Sequence, residues 1–191
     1  MGSLQILNNR LSKIIPRIKD DKFIQGRGLG NEISFYVFDY EPEYELIVRE
    51  HITLIKKEFR HENSNRKIVE FDLYKMLIEI AKEKRIFERI FQMEEKQGKD
   101  ALFKAMTNFA KPDIFLQKIK EQLADNNVVL ITGVGKVYPF VRSHSILNNL
   151  QEVLDKIPVI MFFPGKYDGL SLRLFDRFKD DNYYRAFRLV D

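Results

Sequence analysis

The stretch NVVLITGVGKVYPFVRSHSILNNLQ, residues 127–151, decides the fold of this chain. Its residues 128–132 are apolar or small without interruption, which predicts a strand buried on both faces. Gly133 and Gly135 then break the pattern, and apolar residues recur at helical spacing from Val141 to Leu154. A buried strand, a glycine turn and a helix in this order are typical of a parallel α/β sheet.

Further strands are predicted on both sides of this stretch. Residues 33–40 are almost continuously apolar or aromatic, residues 46–59 carry a helical stripe, and residues 67–71 form a second strand that ends at Asp72. This order is a βαβ unit, which is right-handed by default. Later strands are predicted over 159–163, fixed by Pro158 before it and Pro164-Gly165 after it, and over 170–175 and 185–190. We therefore expect a three-layer α/β fold with a mainly parallel sheet, resembling a P-loop NTPase core without its Walker A loop.

Two helical segments complete the predicted domain, which spans residues 1–191. Residues 1–25 carry an apolar stripe that packs either on the core of this chain or on a partner. Residues 73–125 contain only helical patterns and predict an insertion of three or four helices, punctuated by Gly98 and Pro112.

Composition excludes several classes of protein. The 191 residues include no cysteine, so disulfides, thiolate nucleophiles and sulfur-ligated zinc are excluded. The sequence has no apolar run of the roughly 18 residues that a membrane span needs and no signal-peptide pattern at its start, so we expect a cytoplasmic protein. Residues 1–30 hold six Lys or Arg and two Asp or Glu, and the other 161 residues hold 26 of each. Direct DNA binding would therefore involve the N-terminal segment.

Three catalytic or ligand-binding interpretations of the central stretch are weak. A Walker A loop needs four residues between its glycines and a Ser or Thr after the lysine, whereas one residue separates Gly133 from Gly135 and Val137 follows Lys136. His144 lies between two serines, but a catalytic triad is assembled from separate segments. A metal site of Asp39, Asp72, Asp168 and His144 is geometrically allowed at the strand ends, but strand ends are commonly acidic or polar without a ligand. We assign no catalytic, cofactor or metal residue.

The residues that we predict to form an interaction surface lie at the predicted carboxyl ends of strands and in glycine-rich or aromatic turns. Aromatic and basic side chains in such turns favour protein interfaces. The candidate residues are Asn31, Glu32, Asp39, Tyr40, Gly133, Gly135, Lys136, Tyr138, Arg142, Ser143, His144, Asn148, Asn149, Tyr167, Asp168, Asp181, Asn182 and Tyr183.

The chain resembles the BrxB family of bacterial BREX (bacteriophage exclusion) systems. The similarity is carried by residues 28–33, 38–40, 69–74, 130–140, 142–144, 148–151, 161–165, 167–169 and 179–190. The resemblance implies a component of a phage-resistance complex that acts beside the alkaline-phosphatase-like protein PglZ, a DNA methyltransferase and a large ATPase. It carries over no catalytic residues.

From the sequence and this resemblance we expect a non-enzymatic adaptor that binds PglZ and is needed for host DNA methylation and phage restriction. The alternatives are a DNA-binding subunit of the same complex and a cryptic nucleotide-binding enzyme.

Overall fold

The computed structural model of the protein describes residues 2–24, 35–60, 65–151, 154, 157–179 and 186–191. The strands are β1 (Phe35–Tyr40), β2 (Ile68–Asp72), β3 (Val128–Thr132), β4 (Val159–Tyr167), β5 (Leu172–Leu174), β6 (Phe178–Lys179) and β7 (Phe187–Arg188). The helices are α1 (Ser3–Ser12), α2 (Ile14–Lys19), α3 (Asp21–Ile24), α4 (Glu45–Glu58), α5 (Leu73–Glu83), α6 (Phe87–Phe109), α7 (Pro112–Leu123), α8 (Val134–Val137) and α9 (Ser143–Gln151). A 3-10 turn, Pro42–Tyr44, precedes α4.

The sheet is mainly parallel, as the sequence predicted. Its order is β2-β3-β4-β1-β7, and each neighbouring pair in this path is parallel. The chain passes from β1 to β2 through α4 on one face, and then returns to β3 and β4 through α5–α9 on the other face. The crossover from β1 to β2 and the crossovers from β2 to β4 run in opposite directions along the sheet and lie on opposite faces. This is required when all crossovers between parallel strands have the same handedness. The polar residues at the carboxyl ends of β1, β2 and β3 consequently meet at one edge.

Helices cover both faces of the sheet, which gives the predicted three layers. On the first face, α1–α4 pack on apolar side chains that include Phe38, Leu130 and Phe162. On the second face, α5–α9 pack on the alternate side chains, which include Phe71, Ile131 and Met161. The central strands β1, β3 and β4 therefore bury both of their faces, which explains the continuous apolar runs in the sequence.

The N-terminal apolar stripe packs on the core of this chain. Leu7, Leu11, Ile14 and Ile18 are each at most 4% exposed and belong to the core of the first face. The sequence left a core and a partner as alternatives, and the structure shows the core.

The helical insertion consists of α5, α6 and α7. The long helix α6 is kinked at Gly98, whose φ of 83° and ψ of 170° are not helical. Glycine permits this backbone conformation without a side-chain clash. Two aromatic residues of α6, Phe91 and Phe103, are 54% and 46% exposed.

Strand β4 runs further than the sequence indicated. We predicted that Pro164-Gly165 would end it, but β4 continues to Tyr167 and pairs with β5 in an antiparallel arrangement. A Cβ atom at position 165 would lie 2.1 Å from the carbonyl oxygen of Arg173, so glycine allows the two backbones to approach. Strand β6 pairs with β5 and was not predicted, because two residues carry no alternation signal. Helix α8 was likewise missed within a predicted loop.

Candidate functional site

A strand-end cleft of about 370 Å³ lies at the carboxyl edge of the sheet, beside α4. The chain leaves β1 towards α4 on the first face and leaves β3 towards α8 on the second face. Ligands of α/β proteins commonly bind at such a reversal. The charged residues that line the cleft are Glu45, Arg49, Glu50, Lys56, Glu70, Asp72, Lys75 and Lys136.

The charges of the strand-end cleft balance each other. Lys56 forms an ion pair with Glu70, which also accepts a hydrogen bond of 2.8 Å from the Thr132 hydroxyl. The Tyr40 hydroxyl donates to Glu45 at 2.5 Å. Burial, and then the neighbouring Glu45 carboxylate, raise the pKa of Tyr40 above its ordinary value. Tyr40 therefore remains a protonated donor at neutral pH, and the network holds the strand ends to α4.

Asp72 connects β2, α5 and α8. It ends β2 and caps α5, because its Oδ1 accepts from the backbone N–H groups of Tyr74 at 3.1 Å and Lys75 at 3.2 Å. Its other oxygen, Oδ2, accepts from the ammonium group of Lys136. Both oxygens of the carboxylate are thus engaged, and Lys136, the lysine of the GVGK motif, is paired within the chain.

The glycines of the GVGK motif allow close packing. Gly133 has a φ of 72°, and a Cβ atom there would lie 2.3 Å from Asp72 Oδ1. A Cβ atom at Gly135 would lie 2.8 Å from the ring of Phe175 and 2.9 Å from Pro164. The spacing of these glycines therefore reflects contacts within the fold, which explains why it differs from that of a phosphate-binding loop.

Four of the candidate surface residues, Asp39, Tyr40, Gly133 and Tyr167, are buried, so they do not lie on the exposed surface as the prediction required. Asp39, Tyr40 and Tyr167 are 8%, 6% and 1% exposed. Asp39 Oδ1 accepts from Arg10 at 2.7 Å, and Oδ2 accepts from the backbone N–H of Tyr167 at 3.0 Å. The Tyr167 hydroxyl donates to the carbonyl oxygen of Ala186 at 2.6 Å. These residues join α1, β1 and β4 to the C-terminal segment.

A second concave feature, which we call the aromatic-basic groove, has a volume of about 320 Å³ and lies on the second face of the sheet beside the β5 and β6 hairpin. Its buried floor is formed by Phe163, Leu172 and Leu174, which are at most 6% exposed. Its other lining residues are Tyr138, Arg142, Arg177, Phe178 and Lys179.

The walls of the aromatic-basic groove are aromatic. The rings of Tyr138 and Phe178 lie 4.9 Å apart between centroids, and Phe175 meets Tyr138 edge to face at 6.3 Å. Phe178 is 48% exposed. Aromatic side chains that are fixed in place yet open to solvent are typical of protein interfaces.

The described charged residues that line the aromatic-basic groove are all basic. Arg142, Arg177 and Lys179 are exposed, and the lining residues that the structure describes include no Asp or Glu. Across the described ranges, the side chains of Arg142 and Arg177 form no ion pair or hydrogen bond. This contrasts with the strand-end cleft, where cations and carboxylates are equal in number.

Sequence reasoning found only part of this groove. Tyr138 and Arg142 were predicted, and residues 170–175, which include β5, were predicted as a short strand or hairpin arm. Arg177, Phe178 and Lys179 were missed because β6 and the turn before it were not predicted. The sequence signal that could have indicated this part of the groove is Phe178, which lies between Arg177 and Lys179 in a polar segment. No amphipathic pattern of a helix or strand explains an aromatic residue at that position.

The other predicted site residues do not form one continuous surface. Asp168 stabilises its own turn, because its carboxylate accepts from the backbone N–H groups of Ser171 at 2.6 Å and Leu170 at 2.8 Å. These hydrogen bonds lower the pKa of Asp168 to about 2, and Lys179 contributes a smaller favourable charge. On α9, Asn148 is exposed, and Asn149 donates to the carbonyl oxygen of Ser145 at 2.6 Å.

Some predictions lie outside the described part of the structure. These are the predictions for Asn31, Glu32, Asp181, Asn182 and Tyr183 and for the side chains of Ser143 and His144.

Several cations of the N-terminal segment are paired within the fold. Arg10 binds Asp39, Lys19 binds Glu58, and Lys13 donates to the backbone oxygen of Asp191 at 2.7 Å. Their charge is therefore partly neutralised, which weakens the case for DNA binding by this segment.

The described residues also contain no group of three or more acidic or histidine side chains that is placed to hold a metal ion. In the same ranges, every helix is too short or too polar to cross a membrane.

Comparison with known proteins identifies the family. The family model described as "BREX protein BrxB" matches residues 69–189. A protein of Bacillus cereus (strain H3081.97) named "BREX protein BrxB" is 48% identical over 189 residues, which cover 97% of this chain and 98% of that protein. A protein of Escherichia coli O9:H4 (strain HS) with the same name is 39% identical over 188 residues, which cover 97% and 92%.

No solved structure matches the chain, so the predicted likeness to a P-loop NTPase core stays a prediction. The similarity to both BrxB proteins extends over nearly the whole chain, so it does not depend on one shared motif. The chain belongs to the BrxB family of BREX proteins.

Proposed function

We propose that this chain is a non-enzymatic adaptor of a BREX phage-defence complex and that it binds PglZ through the aromatic-basic groove. In this role it is needed for host DNA methylation and for phage restriction. The observation that carries the proposal is the groove itself, where the half-exposed ring of Phe178 lies beside two arginines whose side chains have no ion-pair or hydrogen-bond partner among the residues that the structure describes. Family membership supports the other half of the proposal, since it makes other BREX proteins the natural partners.

The strand-end cleft supports an adaptor more than an enzyme. Lys136 and Lys56 are paired with Asp72 and Glu70, and Asp72 also caps a helix. A general base or nucleophile must be available to a reacting atom, whereas these side chains already hold strands and helices together. Their pairing therefore has a structural explanation that requires no reaction.

Co-purification tests the proposal directly. PglZ and the tagged chain are co-expressed and passed over a size-exclusion column at micromolar concentration, and we expect a single complex. The variant with Arg177→Glu and Phe178→Ala should release PglZ, because tyrosine, tryptophan and arginine anchors carry most of the free energy of typical interfaces. Separate elution of wild-type chain and PglZ would contradict the proposal.

A matched control comes from α6. Phe91 is 54% exposed and Lys99 is exposed, so Phe91→Ala with Lys99→Glu changes one exposed aromatic residue and one exposed cation far along the sequence from the groove. This variant should retain PglZ. Loss of PglZ in both variants would point to a general effect of surface charge or solubility.

The cellular role is tested by complementation. In a bacterium whose BREX system lacks this gene, the wild-type chain should restore methylation of host DNA and reduce phage plating. The Arg177→Glu and Phe178→Ala variant should restore neither, although its folded amount in the cell should match that of the wild type. Full complementation by this variant would separate phage defence from the groove.

A further inference from the structure

The geometry points to a specific occupant of the aromatic-basic groove, namely a short acidic segment of a partner protein that carries an aromatic or branched apolar side chain next to an Asp or Glu. This inference rests on the proposed adaptor function and names the chemistry that the groove recognises. The apolar side chain would lie on the groove floor beside Tyr138 and Phe178, and the carboxylate would bind Arg142 and Arg177.

The floor accounts for the apolar part of this segment. Phe163, Leu172 and Leu174 are fully or almost fully buried, and the Tyr138 and Phe178 rings rise beside them. A volume of about 320 Å³ is at the low end of the roughly 300–1,000 Å³ range of ligand pockets, which suits one or two side chains better than a large ligand. Burying one such side chain removes apolar surface of both partners from water.

The arginines account for the carboxylate. A guanidinium group has a planar arrangement of donors that binds carboxylates in a bidentate manner. Arg142 and Arg177 have no partner to give up within the described part of the chain, so a carboxylate need not break an existing ion pair to bind them. In the strand-end cleft, the same ligand would have to compete with Glu70 and Asp72.

The distribution of charge favours a protein segment over nucleic acid. A nucleic acid strand needs a track of cations that follows successive phosphates. Here the basic cluster consists of Arg142, Arg177 and Lys179, which is short for such a track. The Asp168 carboxylate also lies near Lys179, and the charge of that lysine helps to lower the pKa of Asp168. A single carboxylate satisfies the groove, whereas a longer polyanion would also approach Asp168.

The test uses immobilised overlapping peptides that cover PglZ, the methyltransferase and the large ATPase of the same BREX system, probed with the purified full-length chain. The peptides that bind should share an Asp or Glu adjacent to Phe, Tyr, Leu or Ile. For the best of them, fluorescence anisotropy with a labelled copy should show that Arg142→Glu with Arg177→Glu weakens binding at least about 10-fold, as loss of interfacial charge pairs does. The charge-matched control, Lys96→Glu with Lys99→Glu on α6, should bind like the wild type.

A charge swap then separates direct contact from a general electrostatic effect. Replacing the acidic residue of the peptide by Lys should weaken binding to the wild type and restore binding to Arg177→Glu. Neither side chain that is changed in the Arg142→Glu and Arg177→Glu variant forms a hydrogen bond or ion pair with a described residue, so this variant should fold. Its thermal unfolding midpoint should therefore match that of the wild type.

Each outcome separates this inference from the adaptor proposal. If PglZ co-elutes with both the wild type and the Arg142→Glu and Arg177→Glu variant, the adaptor function stands and the occupant inferred here is wrong. If PglZ does not co-elute but acidic peptides of another BREX protein bind with the expected charge swap, the inference holds and PglZ is the wrong partner. If the bound peptides share no acidic residue, or if labelled single-stranded oligothymidylate binds and is lost in the same arginine variant, the inference is overturned.

Discussion

Replacing Asp39 by Asn should destabilise the fold strongly while leaving the shape of the side chain almost unchanged. The carboxylate of Asp39 is 11% exposed and accepts from Arg10 at 2.7 Å and from the Tyr167 backbone N–H at 3.0 Å. Arg188 adds a second guanidinium at 3.6 Å. An Asn side chain has one acceptor oxygen and one donor nitrogen. The NH₂ group of Asn must therefore face either Arg10 or the Tyr167 N–H, both of which are donors. The charge of Arg10 also loses its counter-ion.

The magnitude follows from these contacts. A hydrogen bond to a charged group contributes about 1.5–3 kcal/mol, and removing one partner of a buried ion pair costs about 3–5 kcal/mol. Arg10 and Asp39 are 17% and 11% exposed, so solvent offsets part of the full cost. We expect Asp39→Asn to lower the free energy of unfolding by about 2–4 kcal/mol. For a chain of this length, Tm should fall by roughly 5–15 °C.

Urea unfolding followed by circular dichroism measures this change. The same substitution at Asp176 is a matched control, because that carboxylate is 40% exposed and pairs with Lys166 and Arg173 at the surface. Asp176→Asn should change the free energy of unfolding by less than about 1 kcal/mol. A loss below about 1 kcal/mol at Asp39 itself would refute the argument that this residue holds α1 to the strand ends.

Three further predictions concern other parts of the chain. The ring nitrogen Nε2 of His51 is buried and has no hydrogen-bond partner in the described part of the chain, and burial lowers the pKa of His51 from 6.5 despite a hydrogen bond to the backbone of Leu11. The folded state thus binds fewer protons than the unfolded state, so the free energy of unfolding should decrease as the pH falls from about 6.5 through the lower pKa of the folded state. In urea titrations at several pH values, His51→Gln should reduce this dependence of the free energy of unfolding on pH. Gly133→Ala should lower the free energy of unfolding by about 2–4 kcal/mol, because φ is positive there and the new Cβ would overlap the Asp72 side chain that caps α5. Gly169 also has a positive φ but has open space around it, so Gly169→Ala should lower the free energy of unfolding by only about 1–2 kcal/mol in the same urea assay. Phe178→Ala should change the free energy of unfolding by less than about 1 kcal/mol because the ring is half exposed, yet it should abolish co-elution with PglZ. A larger loss of stability would contradict the first statement, and retained co-elution would contradict the second.

The main strands of the fold could be predicted from the sequence because their signal is local. Residues 128–132 and 35–40 are apolar on both faces, and only a sheet covered by helices on both sides buries such runs. Polar breaks then mark where β2 and β3 end. The end of strand β4 was predicted wrongly at Pro164-Gly165, because those residues end the parallel pairing with β1 but do not end the strand. Whether a proline stops a strand depends on which neighbour would have used its N–H group, and that neighbour is remote in the sequence.

The candidate site was harder to predict because the roles of its polar residues depend on pairing over long distances in the chain. Asp39 and Tyr167 are 128 residues apart, and Asp72 and Lys136 are 64 residues apart, so no window of sequence shows that each pair is already satisfied. Once such pairs are removed from the candidate surface, the basic residues with no partner among the described residues become the strongest candidates for binding. Arg142 and Arg177 are exposed beside the aromatic wall of the groove. An ion pair at such an exposed position would add little to the free energy of unfolding, so its absence destabilises the fold little. A carboxylate brought there by a partner, together with an apolar side chain that excludes water, would strengthen the same interaction. The exposed arginines of the groove therefore contribute little to the stability of the chain itself, which fits the proposed role of the groove in binding a partner.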